Sequence, residues 1–337
     1  MSTSFGSVDE LNQWLVEHHM GAYWDRRGAA SEAARPFIWK GGDIDRGIMS
    51  ASEMIPMQMT EMRNLGLRNP SMNGRATPVS LGIQSLMPGE RTRAHRNLKS
   101  ETRFVLRAAP GATFIVDGEP IEVEEGDLVT TPNWSWHDHY NGSDQPMVWL
   151  DGLDMGLVGL GVEINERYTQ GQQVVDRPPG YTAMLAAAAR PVGSNGGLLV
   201  PPPHHYRWRD TYETLRALKE AELEGDPCDG LHLTYTHPLT GGPTLPTMAC
   251  EIQLMPPGFR ARAHRHNSTT FYHVFRGEGA TLADNERIAW SQGDVLMIPP
   301  WIWHAHETHS SDDAVLYSIT DRPAMQALGL YREESAN

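Results

Sequence analysis

Apolar and polar positions change their period along this chain, and the changes divide it. Near the start, Ser7 and Glu10 form a capping box ahead of an amphipathic stretch that puts Leu11, Trp14 and Leu15 on one face. Further on, "ASEMIPMQMTEMRNLGL" sets Met54, Met57 and Met62 near helical spacing and stops at Gly66. Residues 1–75 therefore read as a helical and irregular segment whose methionines pack flexibly in a core. From residue 76 the texture turns to short apolar runs broken by Gly, Pro, Asp and Asn, as in "SLGIQSLMPGE", "ATFIVDGEPIEVEEGDLVTTP" and "MVWLDGLD". Runs of this length between turn signals predict an antiparallel sandwich or barrel over residues 76–185. "AAAARPVGSNGGLLVPPPHHY" interrupts the pattern as a linker, and "RDTYETLRALKEAEL" follows as a short amphipathic helix, together filling residues 186–245. β-texture resumes with "TMACEIQLMPPGF" and runs through residues 246–337, tail included.

The two β-rich regions are copies of one another. Gln84, Gly89 and His95 recur as Gln253, Gly258 and His264, displaced by 169 residues. Gly126, Pro132, Trp134, Trp136 and His137 recur as Gly293, Pro299, Trp301, Trp303 and His304, displaced by 167. Identities kept in order over such a span mark an internal repeat, so the chain carries two versions of one β-domain.

Composition narrows what those domains do. The chain has 337 residues, enough for about two domains, with 28 Lys and Arg against 42 Asp and Glu and a formal charge of −14. A surface this acidic repels phosphate backbones, which argues against nucleic acid as a partner. No apolar run approaches the ~18 residues that span a bilayer, and the opening "MSTSFGSVDE" lacks a basic and apolar leader, so a soluble, cytoplasmic protein without membrane contact is expected. Cys228 and Cys250 are too few for a disulfide framework, whereas 15 histidines turn attention to imidazole as a metal ligand.

Residues i and i+2 of a strand face the same way, so "HRH" at 264–266 aims His264 and His266 at one face and Arg265 at the other. His304 arrives behind "GDVLMIPPWIW", a strand able to lie beside the first. Three imidazoles on one face of a metal leave open positions for a substrate and for dioxygen or water. The plainer reading, ordinary core or surface histidines, fits poorly with this spacing in a glycine-punctuated repeat. In the first copy the motif reads "AHRN", with Asn97 where the second copy has His266.

The pattern Gly89, His95, Asn97, Glu101, Gly126, Pro132, His137 and its second version resembles the cupin superfamily, and the doubling resembles a bicupin. That resemblance implies a mainly β fold of two double-stranded β-helix (jelly-roll) barrels, each able to hold a metal in its mouth. "SETRF", "PNWSWHDHYN" and "VWLDGLD", with "PPWIWHAHE" and "ALGLYREE", narrow it to the gentisate 1,2-dioxygenase family, which includes salicylate and 1-hydroxy-2-naphthoate dioxygenases. The family implies Fe(II), no organic cofactor, and O2 as co-substrate for opening a hydroxylated aromatic carboxylic acid between its carboxyl- and hydroxyl-bearing carbons. It also implies a homo-oligomer, a tetramer or dimer.

Carried onto this chain, the family's substrate contacts fall on Gly82, Gln84 and Arg103, with His139 and Asp151 as catalytic candidates. Arg103 is the carboxylate-gripping fork, and Asp151 is expected to orient His139. At corresponding offsets the second copy offers Gln253 and Tyr272 as substrate contacts and His306 as a further catalytic candidate beside Arg103, with Tyr272 where the arginine stands. The tryptophans 134, 136, 301 and 303 are expected to pack the barrels. His264, His266 and His304 are the preferred iron site, giving one iron per subunit. His95, Asn97, His137 and Glu101 offer a possible second, in which Glu101 replaces the missing imidazole. Two other readings compete. A bicupin that serves as a non-catalytic binding protein or sensor would show such a split inventory, and a manganese oxalate decarboxylase-type bicupin would need the Glu that Thr270 replaces in the second copy.

Overall fold

The computed structural model of the protein describes residues 5–18, 34–57, 59–60, 62–72, 77–159, 161, 163–186 and 204–336. Most of the "AAAARPVGSNGGLLVPPP" linker lies outside these residues. At the N-terminus, Ser7 Oγ accepts from Glu10 N at 3.1 Å and Glu10 Oε2 from Gly6 N at 2.6 Å, capping the helix Val8–Glu17. The methionine stripe is not a helix throughout. The helix Gly41–Met54 ends before Ile55, which is extended because it precedes Pro56. Met54 and Met62 are exposed as a result, while Met57 packs against the first barrel's core.

Each repeat forms two antiparallel sheets closed into a barrel. In the first, the six-stranded sheet has as its four central strands Leu128–Thr131, Glu101–Arg107, Met147–Leu153 and Ser80–Leu86 in that order, and the opposing sheet includes His95–Asn97, His137–Asn141 and Ala112–Val116. In the second, Val295–Ile298, Thr270–Arg276, Ala314–Thr320 and Ala249–Met255 match the first set, and His264–His266, His304–Thr308 and Glu278–Ala283 the other. The strands alternate inward apolar residues around separate interiors, one containing Phe114, Val129 and Trp149, the other Val274, Trp290 and Leu316.

The barrels pack back to back through their larger sheets. Phe104 of the first stacks on Tyr317 of the second with ring centroids 4.1 Å apart and meets Phe275 edge-on at 5.3 Å. Gly152 lets the sheets approach closely here: a Cβ there would lie 2.3 Å from Ile319 Cδ1.

The repeat extends beyond the barrels, and its outer parts are exchanged. The strand Phe37–Trp39 runs into the helix Gly41–Met54 in the same way that His205–Tyr206 runs into Trp208–Glu220. The strand of the first unit pairs with the second barrel, Phe37 opposite Met297, and that of the second with the first barrel, His205 opposite Val129, while the helix Gly41–Met54 stays on the first barrel, Ser52 Oγ 2.8 Å from Ser85 Oγ. Twin aspartates receive them. Asp294 accepts from Lys40 Nζ at 2.7 Å and Gly41 N at 2.8 Å, and Asp127 contacts His205 Nε2 at 2.7 Å and accepts from Trp208 N at 2.8 Å. Leu215, fully buried on the second helix, joins the core shared by both barrels.

Candidate active site

Strand pairing brings the motif histidines together. His264 lies directly across from His304, and His95 across from His137, because the short ligand strand runs antiparallel to the strand carrying the third histidine. In the second barrel, ligand atoms of His264, His266 and His304 lie within 4.8 Å of one another, and all three side chains are buried. His304 Nδ1 is 3.0 Å from the Ile302 carbonyl, and His266 Nδ1 is 3.0 Å from the Ser268 carbonyl. Donating Nδ1–H to those carbonyls leaves Nε2 of both rings as a lone-pair donor. Burial depresses both, His266 to about 4 and His304 well below the usual imidazole value, so both are neutral at physiological pH, as metal ligands must be. The set fits a divalent first-row metal such as Fe(II): three imidazole nitrogen donors, converging and shielded.

Arg265, between the two ligands, points outward as the alternation requires. It lies over Trp301 and Trp303 at 4.5 and 4.7 Å and donates twice to Glu334 Oε2, at 2.9 and 2.6 Å. Arg96 repeats the arrangement on Trp134, Trp136 and Glu166. These tryptophans therefore clamp the back of each ligand strand from outside instead of filling a barrel interior.

In the first barrel, His95, Glu101 and His137 form a second convergent set, again within 4.8 Å. Asn97 is engaged at both ends of its amide: Oδ1 accepts from Lys99 N at 2.8 Å and Nδ2 donates to Glu101 Oε1 at 3.1 Å. The amide thus holds the carboxylate. Glu101 Oε1 is 3.5 Å from His137 Nε2, a buried atom without a hydrogen-bond partner, and this donor set also suits a metal. Burial alone would raise the Glu101 pKa, but Arg103, His137 and His95 outweigh it and hold the carboxyl at about 2.

The substrate candidates of this barrel form one buried network. Arg103 donates to Glu101 and to Thr131, and its Nε lies 3.7 Å from Asp151 Oδ1. Gln84 donates to the other oxygen of Asp151, and Gly82 lies across from Asp151 in the strand register. The expected Asp151–His139 contact is absent. His139 stands edge-on between Phe114 and Trp149, at 4.9 and 5.1 Å, with Nδ1 buried and unpartnered, because Asp151 is drawn to the guanidinium and the amide.

Burial pushes the Asp151 carboxyl up to about 7, with the Glu101 charge adding to the rise. The folded state therefore holds a proton that the unfolded chain releases near 3.8, and stability contributed by this group falls as pH rises from about 4 to 7. Asp151→Asn is expected to remove that slope, gaining on the parent protein by at most about 1.4 kcal/mol per pH unit across the window. Urea unfolding at pH 4.5, 6 and 7.5 measures it, and a constant offset between the two proteins refutes it.

In the second barrel, Tyr272 Oη sits 3.4 Å from His304 Nε2, and His306 meets Thr281 Oγ1 at 2.8 Å while its Nε2 is buried and unpartnered. Gln253 donates to Asp229. A cavity beside the triad is lined by His264, His266 and Tyr272, and also by His232, Glu251 and Arg322. None of the last three appears in the motif comparison. They come from a strand edge, from the position equivalent to Gly82, and from the first turn of the helix Arg322–Ala327. No helix among the described residues is long and apolar enough to cross a membrane.

A cupin domain model matches residues 82–153 and 251–320. The chain is 38% identical over 303 residues to gentisate 1,2 dioxygenase 1 of Aquipseudomonas alcaligenes, covering 88% of this chain and 86% of that protein. It is 35% identical to 5-aminosalicylate 1,2-dioxygenase of Comamonas sp, covering 97% and 90% respectively. The crystal structure of salicylate 1,2-dioxygenase from Pseudaminobacter salicylatoxidans superposes with a TM-score of 0.87 at 26% identity over 99% of both chains.

Proposed function

Because the chain belongs to the gentisate 1,2-dioxygenase family of bicupins and is a ring-cleaving dioxygenase, we propose that it uses Fe(II) and O2 to open a gentisate- or salicylate-type acid between the carboxyl- and hydroxyl-bearing carbons. The observation that carries the placement of the chemistry is the convergence of three buried imidazoles at His264, His266 and His304. When bound, Fe(II) supplies a Lewis-acidic centre able to chelate the acid's carboxylate and neighbouring hydroxyl and to pass an electron between ring and dioxygen.

This chain's own groups do the rest. The Ile302 and Ser268 carbonyls fix which ring nitrogens face the metal. The Tyr272 phenol, kept protonated by burial, would donate a hydrogen bond toward the substrate oxygens, with neutral His306, 4.7 Å ring to ring from Tyr272, behind it. Gln253, tied to Asp229, walls the same space. In the first barrel Gly82, Gln84, His139, Arg103 and Asp151 retain the family's substrate set, but Arg103 is committed to Glu101. One iron per subunit follows, with His95, Glu101 and His137 as a possible second site. The exposed Met54 and Met59 suit contacts within a tetramer or dimer.

Protein loaded anaerobically with Fe(II) and mixed with gentisate, salicylate, 5-aminosalicylate or 1-hydroxy-2-naphthoate is expected to consume O2 and give a ring-opened chromophore with at least one of them. Bound iron with no oxygen uptake across the panel overturns the proposed reaction.

A further inference from the structure

Each barrel holds a guanidinium paired with a carboxylate beside its candidate ligand atoms, but the two pairs are built from different positions. In the first barrel the arginine is on a central strand: Arg103 lies opposite Asp151 in the register. The same register position in the second barrel is Tyr272, opposite Ser318, so a comparison of strands finds no arginine there. The arginine of the second barrel is Arg322. It opens the helix Arg322–Ala327 after Asp321, whose Oδ1 accepts from Thr269 N at 2.8 Å. The first barrel's twin of this corner is Asp154, which accepts from Ser100 N at 2.8 Å, and the residue after it is Met155. The guanidinium has moved from the strand to the capping helix.

Its carboxylate partner has moved too. Arg322 donates to Glu251, which stands across from Ser318 just as Gly82 stands across from Asp151. Glu251 Oε2 is also 3.4 Å from His232 Nε2. Both Arg322 and Glu251 line the cavity shared with His264 and His266. The two pairs differ in access. The Arg103 side chain is 1% exposed and held among Glu101, Thr131 and Asp151, whereas that of Arg322 is 31% exposed. The cavity holds about 30 Å³, room for water and not for an aromatic ring. Withdrawal of the Glu251 side chain would enlarge it and release the guanidinium in one movement.

We propose that Arg322 is the carboxylate-binding residue of the second barrel, and that Glu251 occupies it in the free protein as an internal stand-in which a hydroxylated aromatic carboxylate displaces. This inference rests on the second barrel being the working iron site. It makes Arg322 the main determinant of selectivity for acids over the corresponding phenols, since a planar guanidinium takes a carboxylate through paired, charge-assisted hydrogen bonds.

Two substitutions with opposite expected signs test it, read by anaerobic isothermal titration of the Fe(II)-loaded protein with salicylate and with phenol. Arg322→Met, which copies the Met155 corner, is expected to weaken salicylate binding on the order of ten- to a hundredfold while leaving phenol binding unchanged. Glu251→Gln keeps the shape and removes the competing charge, and is expected to tighten salicylate binding severalfold. A merely structural role for the pair predicts that both substitutions weaken it, and that result overturns the proposal. Full ring-opening activity in His304→Ala sinks the barrel assignment and this inference with it. Unchanged salicylate affinity in an Arg322→Met protein that still holds its iron in the second barrel sinks the inference alone.

Discussion

Replacing His304 with alanine is expected to empty the second barrel of iron and remove ring-opening activity. His304 is 1% exposed, its Nδ1 is tied to the Ile302 carbonyl, and it closes a set of three ligands held within 4.8 Å. Losing one of three protein donors leaves two imidazoles that grip a divalent ion weakly. The fall in kcat/KM should exceed the ~10–100-fold that removal of an outer hydrogen-bond partner costs. Metal content per subunit and O2 uptake, measured on the same preparation, check both halves. His309→Ala, whose side chain is 45% exposed on the surface, serves as the matched control and should keep iron and rate. A His304→Ala protein with full activity would transfer the chemistry to His95, Glu101 and His137.

The second large effect is on stability. Arg103→Met should destabilise the iron-free protein by about 3–5 kcal/mol, because it strands a carboxylate in a dry interior. The side chains of Arg103 and Glu101 are 1% and 4% exposed, and the charge of the guanidinium is the main reason Glu101 can remain ionised there. Glu101→Gln alone should also cost stability, by leaving the guanidinium unmatched. The double variant Arg103→Met/Glu101→Gln should recover much of the loss, since no buried charge then lacks its partner. Urea titrations of the four proteins close the cycle. Additive losses would show that the pair is not coupled, and Arg103 would then be free to serve a substrate.

Much of the architecture was legible because the residues that declare it are punctuation. The glycines and prolines repeating at offsets of 169 and 167 announce two copies of one barrel, and alternation in "HRH" aims two imidazoles together. What the offsets could not convey was anything in which the copies differ. Arg322 and Glu251 stand where the first copy has Met155 and Gly82, so matching identities passes over both. His232 sits on a short edge strand, Leu231–Thr234, outside the repeated motif. Asn97 appeared to be a weakened ligand, but which end of an amide faces a carboxylate is settled by its neighbours, here Lys99 N and Glu101. The methionine stripe misled because helical spacing survived a proline that the backbone did not, and Pro56 ends the helix at Met54.

The exchanged outer strands bear on how this chain comes off the ribosome. Phe37 finds its partner in Met297, 260 residues later, so at ~5–20 residues per second the N-terminal arm waits roughly 13 to 52 s before its place exists. His205, by contrast, emerges after the first barrel's Val129, so its place already exists when it is made. Throughout that delay the arm's strand Phe37–Trp39 has no partner strand, although the helix Gly41–Met54 can already rest on Ser80–Leu86, where Ser52 Oγ and Ser85 Oγ lie 2.8 Å apart. A nascent chain paused before residue 297 therefore carries one unpaired apolar strand, a defined segment for a chaperone to hold.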